Sequence, residues 1–195
     1  RPDLRQGRRQ AVLLLGLKTR KGGMTMRKII LIVLLMLSFG VLPAFAEQGN
    51  EKSFLIHAKT ALNIDDAQIC AVPNVAWTAL SKGYEVTILF DASGVTALKK
   101  GGIFGGDKSP LDKAALPERE RKSLAGQLAV PLENVPHDYG EYIRFLKQKG
   151  IHLFANRTMM LLYKIDEKEI EQDVIPIGLE EMVKLFENAD IYVAY

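Results

Sequence analysis

The chain has 195 residues, 26 basic and 23 acidic side chains, a formal net charge of +3 and one cysteine. A single thiol cannot form an internal disulfide, and cysteine count alone excludes a zinc or iron–sulfur site built on cysteines. The length suits one domain with a single core behind any leader sequence.

The first 46 residues have the pattern of a leader. Residues 1–25 are rich in arginine and lysine, and we interpret them as an untranslated upstream or disordered segment. Residues 26–46 contain a basic pair, an apolar run over 29–42 and the small-residue site Ala44-Phe45-Ala46, which is typical of a secretory signal peptide. We expect cleavage after Ala46, an exported protein in the periplasm or medium, and no stable membrane span afterwards. An uncleaved anchor is the alternative, although spanning a bilayer takes about 20 apolar residues.

Removal of this leader changes the electrostatic interpretation. The first 46 residues carry nine of the 26 basic and one of the 23 acidic side chains, so residues 47–195 have 17 basic and 22 acidic residues, a net charge of −5. Nucleic-acid binding needs clustered lysine and arginine on one face. We therefore expect no nucleic-acid partner.

Residues 47–195 are predicted to form one α/β domain. Short apolar or β-branched runs predict strands at 54–58, 85–90, 151–155, 174–177 and 191–194. Apolar residues at helical spacing predict helices at about 66–82, 95–100, 117–129, 139–149, 158–164 and 179–188. Pro73 would kink its helix or mark its true first turn, and Pro176 indicates an edge or very short strand. Met182, Val183 and Phe186 are expected to face inward. The alternation predicts a three-layer α/β/α sandwich with a five-stranded, mostly parallel sheet.

Residues 101–136 interrupt this alternation and are predicted to be an irregular insertion. The stretch contains four prolines and is long for a simple connection, which suggests a lid, a partner surface or a loop ordered by oligomerisation. Gly101–Ser109 approaches a phosphate loop but fails, because Asp107 intrudes before Lys108 and no strand precedes it. A nucleotide- or flavin-binding function is therefore disfavoured, and no cofactor is expected.

Three stretches resemble the DsrE/DsrF-like sulfur-relay family. They are Glu85–Lys100, Phe145–Leu153 and Val174–Val193, and the likeness extends over most of residues 53–195 outside the insertion. The resemblance implies a small parallel α/β/α domain that assembles into trimers or hexamers. Some members of the family pass persulfide sulfur between proteins, so a sulfur-relay or redox protein is a possible partner.

In catalytic members, the sulfur-carrying cysteine lies just after the strand that corresponds to 151–155. Here the matching positions hold Phe154, Asn156 and Arg157, none of which can form a persulfide. Asn156 could bind a ligand by hydrogen bonds, and Arg157 could hold an anion. The simpler interpretation is that Asn156 suits a tight turn and Arg157 is solvated.

Cys70 and His57 are the remaining candidates. Cys70 lies near the start of the first helix, where a thiol could act as a relocated sulfur carrier, or it could be an inert core thiol. His57 ends the first strand and could be a structural hydrogen-bonding group, a ligand-binding residue or a base for Cys70. The favoured hypothesis is a non-catalytic oligomeric binding or accessory protein linked to sulfur metabolism. The alternative is a persulfide carrier that uses Cys70.

Overall fold

A computed structural model describes residues 52–101 and 106–195. Their sheet has five strands in the order β4-β3-β2-β1-β5, and every strand pair is parallel. The strands are β1 Ser53–Ala58, β2 Glu85–Phe90, β3 His152–Asn156, β4 Ile175–Ile177 and β5 Ile191–Ala194. The predicted fold class is confirmed. The leader expected over residues 1–46 lies outside the described residues.

Six α-helices connect the strands in the described part of the chain. They are α1 Asp66–Ser81, α2 Pro110–Lys113, α3 Glu118–Leu128, α4 Tyr139–Gln148, α5 Arg157–Leu162 and α6 Leu179–Glu187. Short 3₁₀ turns span Ala92–Leu98, Leu132–Asn134 and Glu167–Glu169. The first of these replaces the helix expected at 95–100. Its start is set by Asp91, whose side chain accepts a hydrogen bond from the Ala92 N–H.

One face of the sheet carries the main core. Successive strand side chains point to opposite faces, and Ile56, Ile88 and Leu153 on this face are almost fully buried. Helices α1 and α4 contribute apolar side chains to the same cluster. Side chains on both faces of the central strands are buried, as expected for a parallel sheet between helical layers.

The opposite face is covered by the single helix α6. Leu55, Leu89 and Ile177 form a second, smaller cluster beneath it, and Met182 and Phe186 pack onto that cluster as predicted. Val183 was also expected to face inward, and that prediction is wrong. Its side chain is 49% exposed, because α6 presents only one narrow stripe to the sheet.

The insertion is part of the core in its described portion. Leu111, Leu116, Leu124 and Val135 are each at most 8% exposed and belong to the main cluster. The buried Arg121 side chain donates hydrogen bonds to backbone carbonyls in the same segment. The helix predicted at 117–129 is confirmed as α3. These buried contacts oppose the expectation that residues 106–136 form a mobile lid.

Both proline predictions have an outcome. Pro73 lies inside α1, eight positions from the N-cap Asp65, so it does not mark the first turn. Pro176 is the middle residue of β4, which has three residues and lies at one edge of the sheet. An edge strand tolerates proline because its outer side needs no N–H donor for a neighbouring strand.

Candidate functional site

A chain of polar side chains crosses the carboxyl edge of the sheet. Parallel strands end at a common edge, so the last residues of neighbouring strands come together there. His57 lies near the end of β1, Asp91 follows β2 directly, and Asn156 is the last residue of β3. Tyr192 joins them from β5, which pairs with the outer side of β1. All four belong to the face beneath α6.

Four hydrogen bonds connect these side chains and anchor the chain to the backbone. Asn156 Nδ2 donates to Asp91 Oδ1 at 2.7 Å, and the Ala92 N–H donates to the same oxygen at 2.7 Å. His57 Nε2 lies 2.8 Å from Asp91 Oδ2, and His57 Nδ1 lies 2.8 Å from the Tyr192 hydroxyl oxygen. The chain therefore runs Asn156–Asp91–His57–Tyr192 across four of the five strands.

The charge on Asp91 sets the direction of these bonds. The hydrogen bond from His57, supported by those from Ala92 and Asn156, lowers the pKa of Asp91 from 3.8 to about 2 against the opposing effect of burial. An ionised carboxylate can only accept, so His57 Nε2 carries a proton. The neutral imidazole then accepts at Nδ1, and the Tyr192 hydroxyl donates its proton inward.

Asn156 is fully used by its neighbours. Its Oδ1 accepts hydrogen bonds from the Thr158 and Met159 N–H groups at 2.9 and 3.4 Å and so caps α5. Its Nδ2 also approaches the Met182 sulfur at 3.5 Å, and the residue is only 2% exposed. The side chain stabilises the turn and orients Asp91, which combines both roles suggested by the sequence.

Aromatic rings cover the outer end of the chain. The His57 ring lies 5.3 Å from Phe186 and 5.9 Å from Tyr192, and Phe186 and Tyr192 meet edge to face at 5.9 Å. His57 is 5% exposed, whereas Tyr192 is 50% exposed. Among the four polar residues, Tyr192 is therefore the one that solvent or a ligand reaches most readily.

The structure brings two of the four sequence-predicted residues together, since Asp91 bridges His57 and Asn156. Arg157 points elsewhere. Its exposed guanidinium pairs with Glu167 at 2.8 Å and donates to the Pro176 carbonyl at 3.0 Å, which agrees with the solvated interpretation. Phe154 is partly buried against the cluster beneath α6.

Cys70 lies on the other side of the sheet from His57. It projects from α1 towards α3 and Tyr139, beside an open pocket of about 530 Å³, and it packs on the main core. No Cys70–His57 nucleophile–base pair is formed, because the sheet separates the two side chains. Burial is the main cause that raises the pKa of the Cys70 thiol, and nearby Asp66 and Glu120 raise it further against a hydrogen bond from Tyr139. Both effects disfavour the thiolate.

Sequence reasoning missed Asp91 and Tyr192 as site residues. Asp91 carried a usable signal, since a polar residue directly after a buried strand belongs to the carboxyl edge of the sheet. Tyr192 carried none, because its position beside His57 depends on β5 pairing with β1.

Two further searches concern residues 52–101 and 106–195. No helix in these ranges combines the length and apolar character that crossing a bilayer requires. Nor do three or more histidine, cysteine, aspartate or glutamate side chains converge there in a way that could hold a metal ion.

Comparison with known proteins gives similarity of structure alone. No protein-family model matches the sequence, and no curated protein matches it significantly. The YchN protein of E. coli superposes with a TM-score of 0.49 and 11% identity, over 74% of this chain and 99% of that one. MTH1491, a protein of unknown function from Methanobacterium thermoautotrophicum, gives a TM-score of 0.44 and 10% identity over 74% and 100%.

The fold and the site define a class without a specific activity. The described chain is an α/β protein with a five-stranded parallel sheet and a mostly buried polar chain at the carboxyl edge. The parallel sheet between helical layers is the architecture that the DsrE/DsrF-like resemblance implies. At the level of the fold, that expectation is met.

Proposed function

We propose that this protein is an exported, non-catalytic, homo-oligomeric binding or accessory protein of the DsrE/DsrF-like type, linked to sulfur metabolism. One observation carries the proposal. Asn156 occupies the position where the resemblance places a sulfur-carrying cysteine, and its amide is buried and engaged by Asp91, Thr158 and Met159. The side chain therefore acts as a structural connector in a position where catalytic members need a nucleophile.

Cys70 offers weak support for the alternative of a persulfide carrier. Sulfur transfer needs an accessible thiolate, and burial raises the pKa of this thiol. Incubation with a persulfide donor followed by intact mass measurement tests the choice. We expect no stable addition of one sulfur atom. Addition that disappears in Cys70→Ser would overturn the proposal in favour of the carrier.

Assembly is assigned to an exposed apolar surface at the end of α5. Leu161, Leu162 and Tyr163 are 71%, 68% and 45% exposed, and we call these three residues the α5 surface. Consecutive large apolar side chains at such exposure are a feature of interaction sites. Burial of each leucine contributes roughly 1.5–3 kcal/mol, enough for two leucines to shift an association constant at least a hundredfold.

Size-exclusion chromatography with light scattering tests this assembly. The protein is expected to be a trimer or hexamer, and the double variant Leu161→Ser with Leu162→Ser should dissociate at micromolar concentration. Leu179→Ser is the matched control, since Leu179 is 56% exposed on α6, outside the α5 surface. A monomeric wild-type protein would contradict oligomerisation, and a double variant of unchanged mass would contradict the surface.

A further inference from the structure

The Tyr192 hydroxyl is the exposed end of a buried proton-ordered chain. Asp91 fixes the proton on His57 Nε2, and His57 Nδ1 accepts from Tyr192 at 2.8 Å. The inward direction of the Tyr192 O–H bond leaves the oxygen lone pairs for groups outside the protein. With neutral His57, the exposed side of this hydroxyl therefore accepts hydrogen bonds and does not donate them. A complementary ligand group must be an N–H or O–H donor.

Charge makes a cationic donor the best match. The salt-bridge partner of Asp91 in the described residues is His57, so with a neutral imidazole the chain carries one negative charge that polarises the Tyr192 oxygen. Residues 178–195 contain four acidic side chains and one basic side chain, Lys184. Lys184 already pairs with Glu180 at 2.7 Å. The surface around α6 and β5 thus has a net negative charge and complements a positive partner.

The aromatic arrangement favours a planar cation. The ring of Tyr192 meets Phe186 edge to face, and half of the Tyr192 side chain stays exposed beside it. A guanidinium group can stack on an exposed aromatic ring and donate several N–H bonds in its own plane. An ammonium group is compact and more strongly hydrated, so it gains less from such a ring. The half-exposed Val183 on α6 offers apolar surface for the methylene groups of an arginine.

We propose that the surface formed by α6 and β5, centred on Tyr192, binds an arginine side chain of a protein partner. The Tyr192 oxygen accepts from the guanidinium, the Tyr192 ring stacks on it, and the acidic residues of α6 attract the basic segment that carries it. This inference rests on the proposed binding function and names the chemistry of the partner. The α5 surface remains for assembly, so the two proposals use different residues.

Saturation-transfer NMR titration of the protein with the peptide acetyl-Gly-Arg-Gly-amide tests this inference. The neutral control peptide replaces arginine with citrulline, which has nearly the same shape without the charge. We expect the arginine peptide to bind at least tenfold more tightly than the citrulline peptide. Removal of the acceptor in Tyr192→Phe should weaken arginine binding about five- to tenfold, the usual effect of losing a hydrogen bond to a charged group.

Tyr163→Phe is the matched control variant, because Tyr163 is 45% exposed and lies outside the acidic surface. Its arginine affinity should equal that of the wild type. Equal binding of both peptides, or equal affinity in Tyr192→Phe and the wild type, would overturn the inference. A change of oligomeric mass in Tyr192→Phe without peptide binding would show instead that a second copy covers Tyr192. Light scattering of the wild type separates the outcomes, since an oligomer that ignores arginine refutes this inference alone.

Discussion

Replacement of Asp91 by asparagine removes the charge that orders the polar chain. Hydrogen bonding, mainly from His57, lowers the pKa of Asp91 from 3.8 to about 2, and its side chain is 14% exposed. A tenfold change in an acid dissociation constant corresponds to about 1.4 kcal/mol, so the ionised carboxylate contributes about 2 kcal/mol to stability at neutral pH. Asp91→Asn should lower the free energy of unfolding at pH 7 by about this amount.

The lowered pKa of Asp91 gives a pH dependence with a definite sign. Because the folded pKa is below the unfolded value, the contribution is complete well above pH 3.8 and is lost as the pH falls towards 2. About 1 kcal/mol is lost by pH 3, so the stability gap between wild type and Asp91→Asn should shrink to roughly half there.

Urea denaturation of both proteins at pH 7, 5, 4 and 3 measures the gap directly. Asp173→Asn, at an exposed aspartate, controls for the removal of one negative charge. A gap that stays constant between pH 7 and pH 3, or a variant as stable as the wild type, would refute the reasoning. Either result would mean that the chain does not stabilise the ionised form of Asp91.

Three further predictions concern packing, thiol reactivity and export. Gly94→Ala should cost roughly 1–3 kcal/mol in thermal or urea unfolding, since its new Cβ would clash with the Ala58 carbonyl oxygen, whereas Gly126→Ala, with open space in a helix, should gain about 0.5–1 kcal/mol. Alkylation of Cys70 by iodoacetamide at pH 8 should be several-fold slower in the folded protein than in urea, because burial raises the thiol pKa, and equal rates would contradict that environment. Expression in a secreting bacterial host should give a product whose intact mass begins after Ala46, and a retained leader would contradict the predicted signal.

Local sequence patterns predicted most of the fold. All five strands were found because apolar and β-branched runs mark buried parallel strands directly. Helix α4 was found through its cap, since the Asp138 side chain accepts a hydrogen bond from the Glu141 N–H at 2.7 Å. Such signals lie within a few residues of one another, and no knowledge of the distant chain is needed to interpret them.

The errors involve contacts between distant segments. The apolar residues of the insertion, such as Leu111 and Leu124, are too widely spaced to show a period, and only packing on the main core reveals their role. The inward prediction for Val183 failed because one helix covers a face five strands wide, a width that sequence does not give. Tyr192 was missed for a related reason, since the order β1–β5 places the last strand beside the first.

The absence of a cysteine after β3 is connected to the rest of the carboxyl edge. Asn156 donates to the Asp91 oxygen opposite the one that meets His57, so its amide helps hold the carboxylate in the orientation that orders the chain. A thiol at this position would supply neither the second donor nor the acceptor that caps α5. Under the proposed function, the position that serves sulfur chemistry in catalytic members here supports a hydrogen-bond chain, and the exposed hydroxyl of Tyr192 at its far end becomes the group through which the site meets a partner.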